Sequence, residues 1–471
     1  MGQSAAISRV FARFLNAHSH DKRQSRRVKH EDPTRVLINS ERVTRGDDSV
    51  NHGISRDIRI LGNRLNRCHY SNAAFFLSIF IPLTTLYAIT AQWQLPQDTD
   101  SITNSITAWS LGNRGSPILD DYSVLAEPAR RRAMGSFTTT PAGTVSFAPP
   151  GAPLLAAPVY AVTDGSRQEV RLYKPYTPDY PPVPVSMPAV WQATLVAVVT
   201  TAAAIGLLGL CFRLQGAPSE AWLAAMLAGL GTSAWSVAST ALWQHGPAIF
   251  WLALGILLST RASWTSSGMA FAAAIATRPH TAVIPACVGI GAGICRRSFA
   301  PIIKIGLISG AGVLLLLAYN FYIYRRITLV GAYGQQELTN LVAGDGINFA
   351  ANLLGACLDP KYGVFIWSPF LIVLLPGLIP GWRNSPCWVR YAAVGGVLYL
   401  LLQFKLHTYA HKAATPYRYP LEGLTATAPL WFAAYRHRLR ELPTARRRPL
   451  RLAALSAIFL QAFALLVWVA H

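Results

Sequence analysis

"NAAFFLSIFIPLTTLYAITAQ", residues Asn72 to Gln92, contains no charged side chain. A helix rises 1.5 Å per residue, so about 20 such residues cross the hydrocarbon core of a bilayer, and this stretch has the length and composition of a membrane span. Further apolar stretches follow near 189–212, 220–241, 246–260, 264–277, 281–295, 301–323, 362–381, 388–405, 420–435 and 452–470. They predict an all-α fold, a polytopic membrane helical bundle of about 11 transmembrane helices. The composition agrees. Of the residues, 52% are hydrophobic and only 13% charged, whereas soluble domains carry about 25% charged residues. The stretches flanking "RPH" (Arg278 to His280) are short, and they are expected to be half-helices meeting inside the protein.

The charge is +21. In a soluble chain this would suggest nucleic acid, but here the basic residues follow the loops of a membrane protein, and no nucleic-acid partner is expected. Residues 1–70 read as a basic, disordered cytoplasmic tail preceding a transmembrane domain at 71–471. With that tail inside, the alternate loops carry Arg213, Arg261, Arg296 with Arg297, Arg383 with Arg390, and the run from Arg436 to Arg451. Positive residues flank cytoplasmic ends, so the loops at 93–187, 242–246, 278–280, 324–361 and 406–419 face outward. The expected location is the plasma membrane of a bacterium, multi-pass, with the N-terminus in the cytoplasm. The six cysteines show no metal-ligand spacing and indicate no external disulfide.

The external loop at 93–187 begins with Asp98 and Asp100. After them Ile102, Ile106 and Trp109 recur at helical spacing as far as Gly112, which predicts an amphipathic helix lying on the membrane surface with a glycine stop. An aspartate before a helix is a good N-cap. Asp100, nearer the helix start, suits that role, which leaves Asp98 freer for chemistry. "SFAPPGAPLLAAPVYAV" (Ser146 to Val162) is too short to span and reads as an interfacial or re-entrant helix. His245 in "ALWQHGPAIF" stands at the outer end of a tight helix pair, where a structural role is as natural as a functional one. Arg278 lies in apolar surroundings, where an unpaired guanidinium costs at least about 2.5 kcal/mol, so it needs a partner or a cavity. The last outer loop, Leu406 to Gly423, gathers His407, His411, Lys412 and Arg418 with three tyrosines. Glu422 could pair with Arg418 at i, i+4.

The order of these parts resembles that of bacterial GT-C membrane glycosyltransferases. A first span leads to an outward Asp and a short helix with "LGNRGSPILDDY". Then come "SFAPPGAPLLAAPVYAV", "LWQHGPAIF", "ATRP", "LDPKYGVFIWSP" and "TPYRYPLEGL". The chain looks like a relative of polyprenyl-phosphate-sugar-dependent mannosyltransferases and aminoarabinose transferases. The resemblance covers roughly residues 72 to 435 and implies that the catalytic carboxylate of the first outer loop is Asp98, with Asp100 second. The "DTD" pair departs from the acidic pair of many such enzymes.

Moving a sugar from a lipid phosphate to a hydroxyl calls for a carboxylate to remove the acceptor proton. It also calls for fixed cations that meet the charge growing on the phosphate. Arg278, Arg418, Lys361, His245, His411 and Lys412 are the external candidates for substrate binding. No cofactor is expected, although a divalent metal could sit at Asp98 and Asp100. The implied partners are a polyprenyl-phosphate sugar donor, a glycan, lipid or protein acceptor, and membrane lipids. Two other readings compete, a transporter or lipid flippase and a non-catalytic component of a polymer-export assembly. Transporters usually place ionisable residues at the midplane of repeated halves, and only one such residue and no clear repeat is visible.

The orientation is directly testable. A single cysteine at position 120 is expected to react with a membrane-impermeant thiol reagent in intact cells, and one at position 440 only after permeabilisation. The reverse pattern would place the polar loops in the wrong compartment.

Overall fold

The computed structural model describes residues 71–95, 97–127, 136–163, 165–172, 183–329, 331, 346–409, 416–439, 443 and 447–469. The tail at 1–70 and the candidate residues His411 and Lys412 lie outside them.

Over the described residues the apolar stretches named above are mainly helical, although that at 220–241 is helical only to Leu230 and then forms a short π turn at Ala234–Ala238. The main helices are α1 (Ser71–Thr90), α2 (Thr99–Arg114), α3 (Gly151–Val162), α4 (Trp191–Arg213), α5 (Pro218–Leu230), α6 (His245–Thr260), α7 (Trp264–Thr277) and α8 (Val283–Arg296). There follow α9 (Ala300–Tyr324), α10 (Gly346–Leu358), α11 (Cys387–Leu406), α12 (Leu421–Ala434) and α13 (Arg448–Val469). Of these, α1, α4, α9, α11 and α13 are long and apolar enough to cross a membrane. The stretch at 362–381 is broken into short helical pieces by Pro369 and Pro376, because proline cannot donate its backbone hydrogen bond.

Burial explains the roles of the spans. α4 is the central one, and its run Ala202, Ala203, Ala204, Gly206 and Gly209 presents little side-chain volume. Neighbouring helices can therefore approach closely. Phe76 and Ile79 of α1 fill the spaces over Gly206 and Gly209. α9 lies outside, leaving Leu307, Leu314 and Leu315 exposed. Such bare leucines suit lipid and not water.

The connections gather into two sets. At one end Arg213 donates to the Ser71 backbone oxygen at 2.8 Å and to the Ser71 hydroxyl, joining the start of α1 to the end of α4. Arg436 approaches Glu220 there at 4.0 Å. Cys295, ending α8, and Cys387, starting α11, are joined as a disulfide, with Cα atoms 6.5 Å apart. Toward the other end the Gln92 amide donates to the Thr240 oxygen at 2.8 Å, and Asn104 Nδ2 donates to the Leu242 oxygen at 2.8 Å. The segments predicted to face outward and the polar residues of interest share this second end.

Here the structure differs from the sequence-based expectation in three ways. First, the loop at 93–187 carries more than helices, because one antiparallel strand pair lies between α2 and α3 and a second between α3 and α4. In one, β1 (Phe137–Thr140) pairs with β2 (Gly143–Ser146), Phe137 opposite Ser146. In the other, β3 (Arg167–Leu172) pairs with β4 (Val183–Pro188), Arg167 opposite Pro188. Their β-branched residues suit pleated strands, and Phe137, Leu172, Val183 and Val185 pack with Ile102 and Ile106 of α2.

Second, α2 does not lie on a surface but is buried along most of its length. Its hydroxyls tolerate burial because they bond back to their own helix: Thr103 to the Thr99 oxygen at 2.7 Å, Ser105 to that of Ser101 at 2.8 Å, and Thr107 to that of Thr103 at 2.7 Å. Third, the helix stops at Gly115, in the left-handed conformation with φ of 64°, and runs straight through Gly112.

The expected break at Arg278 is present. α7 ends at Thr277, Arg278 is extended (φ −145°, ψ 103°), and Pro279 opens a single 3-10 turn before α8. The residue before a proline is pushed out of helical conformation, which accounts for the break. The first residue of α3, Gly151, lies against it, and a Cβ there would fall 2.4 Å from the Thr277 backbone nitrogen. Gly151→Ala is therefore expected to part α3 from the α7 end and destabilise the domain by about 1 to 3 kcal/mol, the usual cost of overpacking. Thermal unfolding in detergent would measure this, and a variant as stable as the parent would contradict it.

Candidate active site

Glu422 lies in the first turn of α12 and is completely buried. Its Oε1 lies 2.9 Å from His245 Nδ1 and 3.2 Å from Arg278 Nε, and its Oε2 accepts the Tyr399 hydroxyl at 3.0 Å. Arg278 Nη1 lies 3.2 Å from His245 Nε2, and Nη2 donates to Gln403 Oε1 at 3.1 Å. A guanidinium only donates and a carboxylate only accepts, so His245 fits as the tautomer that gives its Nδ1 hydrogen to Glu422 and accepts at Nε2. Four helical elements contribute: α6 starts at His245, α7 ends beside Arg278, α11 carries Tyr399 and Gln403, and α12 carries Glu422. The partner demanded by Arg278 is thus Glu422.

A second group lies at the start of α2. Asp100 Oδ1 accepts the Ser136 hydroxyl at 2.9 Å, and Oδ2 lies 3.3 Å from Arg418 Nη1. Arg418 is buried, while the Asp100 side chain retains 42% exposure. The guanidinium of Arg418 stacks over Trp243 at 4.7 Å and over Tyr419 at 5.2 Å, a contact in which the ring face attracts the cation. Burial disfavours its charge, yet Tyr419 and the carboxylates of Asp100 and Asp98 outweigh this and hold its pKa above the ordinary arginine value. The Tyr419 ring joins the two groups, since Arg278 also approaches it at 5.8 Å. His407 stacks on the same ring at 5.9 Å, and His280 meets His407 edge-on at 5.4 Å.

The two aspartates exchange their expected local parts. Asp98 is the N-cap of α2, its Oδ1 accepting the Asp100 amide at 3.1 Å. Asp100, inside the first turn, points its carboxylate at a cation. The exchange follows from α2 starting at Thr99, two residues earlier than a cap at Asp100 requires. Arg418 and Glu422 do not share a helix surface either. α12 begins at Leu421, after Arg418, and the two residues pair across the fold with Asp100 and with His245 and Arg278.

Among the other candidates, Lys361 stands apart on an exposed turn. Its backbone amide donates to Asp359 Oδ1 at 2.8 Å and its ammonium lies 5.2 Å from the Tyr362 ring centre. Tyr399, Gln403, Trp243, Tyr419 and Ser136 are the site residues that sequence reading does not single out. Glu422 carries a signal: with Glu220, at the very edge of its stretch, it is one of two carboxylates in all the apolar stretches.

No family model matches the chain, and no curated protein matches it. Among solved structures it is similar to ArnT from Cupriavidus metallidurans in the apo state, with 14% sequence identity and a TM-score of 0.45. The match covers 81% of this chain and 62% of that one, so the chain spans less than two thirds of the length of that structure.

A buried ion pair broken on one side leaves an uncompensated charge, which costs about 3 to 5 kcal/mol. Glu422→Ala is expected to lower stability on that scale, and the double variant Glu422→Leu with Arg278→Met to regain most of the loss. Thermal unfolding in detergent separates the cases. A single variant no less stable than the double would contradict the pairing.

Proposed function

We propose that the chain is an integral-membrane glycosyltransferase that moves a sugar from a polyprenyl-phosphate donor to an acceptor hydroxyl on the external membrane face. The observation that carries the reading is the pairing of a partly exposed carboxylate, Asp100, with a buried and aromatically clamped guanidinium, Arg418, at the helix ends predicted to face outward. General-base transfer from a phosphate ester needs one group of each kind. No soluble substrate domain is required, because exposed apolar helix faces such as that of α9 can guide a polyprenyl tail.

In this mechanism the acceptor oxygen attacks the anomeric carbon and gives its proton to Asp100, while the bond from that carbon to the phosphate oxygen breaks. The phosphodiester of the donor becomes a phosphomonoester and gains one negative charge. Arg418 meets that charge with its planar fork, which holds two phosphate oxygens where lysine offers a point charge. Asp100 replaces Asp98 as the preferred base because Asp98 is committed to the helix end. His245 and Arg278 serve as positioning residues, held by Glu422 behind the Tyr419 ring. Lys361 is left at the rim.

A divalent ion at Asp98 and Asp100 fits these residues poorly. Asp100 already binds Ser136 and the Arg418 guanidinium, and a divalent cation there would sit against that positive charge. The reading is therefore metal-independent transfer.

An assay of sugar release from polyprenyl-phosphate donors in purified membranes tests this. Asp100→Asn is expected to lower kcat by about 10² or more, the scale of a lost general base. Arg418→Lys is expected to raise the donor KM, and EDTA to leave the activity unchanged. Wild-type turnover by Asp100→Asn would remove Asp100 from the chemistry, and activity abolished by EDTA and restored by Mn²⁺ would overturn metal independence.

A further inference from the structure

The pair that supplies the base and the phosphate cation is closed on itself. Asp100 Oδ2 lies 3.3 Å from Arg418 Nη1, longer than the roughly 2.7 to 2.9 Å of a strong charge-assisted hydrogen bond. The two partners differ in freedom. Arg418 is 6% exposed and clamped between Trp243 and Tyr419, whereas the Asp100 side chain is 42% exposed. If the two part, the carboxylate is the one with room to move. It has a second tether in Ser136, bound to its other oxygen at 2.9 Å, and the end of α2 stays fixed by the Asp98 cap.

We infer that the Asp100–Arg418 pair is a latch opened by the donor: the phosphate of the incoming lipid takes Arg418 from Asp100, and the released carboxylate then becomes free to accept the proton of the acceptor hydroxyl. The inference rests on the functional reading above and adds an order of events to it, donor before acceptor. The exchange is chemically balanced, one anion replacing another at the same guanidinium with no bond made or broken. A phosphate can offer two oxygens to the fork of Arg418, so the exchange favours the lipid. Until it occurs the base is paired with a cation, and an acceptor arriving first meets a carboxylate already bound to Arg418.

The latch has a consequence opposite to that of an ordinary binding residue. Removing the Asp100 charge takes away the carboxylate bonded to Arg418, leaving only Asp98 acting on it, and so tightens donor binding while it slows turnover. The test measures binding of geranylgeranyl monophosphate to the full chain in detergent, with geranylgeraniol and inorganic phosphate as separate probes. Asp100→Asn, or Asp100→Ser if the first variant does not fold, is expected to bind the lipid phosphate about 3- to 10-fold more tightly than the wild type, as expected for loss of one competing ion pair. Asp98→Asn, which removes the second carboxylate acting on Arg418 and keeps a capping side chain, is expected to tighten binding less than Asp100→Asn. Geranylgeraniol is expected to show no such difference between variants. Equal tightening with inorganic phosphate alone would overturn the lipid as the opener of the latch. Equal or weaker binding of geranylgeranyl monophosphate by both Asp100 variants, with the wild type binding, would overturn the latch and leave the functional reading standing. A wild type that binds no lipid phosphate would overturn both.

Discussion

A carboxylate cannot remain charged in an apolar interior without partners, and Glu422 is completely buried among helices. The effective cost of desolvating such an ion is several kcal/mol, and only a well-placed cation with further hydrogen bonds offsets it. Arg278, His245 and Tyr399 provide this from three other elements. The constraint therefore acts on this whole end of the bundle. α6 must begin where His245 can reach Glu422, α7 must break where Arg278 can, and α11 must present Tyr399 and Gln403 to the same point. Proline at 279 makes the break inexpensive, since the residue before it is already disposed to leave the helix.

The chemistry proposed for the site depends on that anchor through one short connection. Arg418 and Tyr419 immediately precede α12, so fixing Glu422 also fixes the ring and the guanidinium that face Asp100. Tyr419 separates two cations with different surroundings. Arg278 is bound to a buried anion behind the ring, and Arg418 is paired with an anion that solvent can reach. A ligand approaching from solvent meets the second, and the first supports the scaffold on which the second is held. This division of labour explains why the two arginines, alike in the sequence as candidate phosphate ligands, are assigned different work.

Much of the helical architecture is legible in the sequence because length and apolarity are the physical requirements of a span, and both can be counted from the residues. Arg278 is legible for the same reason, as a charge where none is tolerated alone. Its partner is hidden by spacing. Glu422 stands four residues after Arg418, which suggests a local helical pair, but the helix begins between them and sends each residue to a different neighbour. The Asp98 cap is missed by two residues of helix start, a scale at which propensity does not discriminate. The hairpins of the outer loop are missed because strands as short as Phe137–Thr140 and Gly143–Ser146 hold too few residues for alternation to be distinguished from an irregular Thr-rich loop. Gln403 and Tyr399 are neutral polar residues inside a span, and nothing local marks them. Only the position of a carboxylate from another helix gives them a role.

The central claim is that the outer end of this bundle consumes a sugar carried on a polyprenyl phosphate. It is tested most directly by comparing, by mass spectrometry, the membrane lipids of cells with and without the chain. The account predicts that one polyprenyl-phosphate sugar accumulates when the chain is absent and falls when it is restored. A lipid-linked sugar pool identical in both membranes would contradict it.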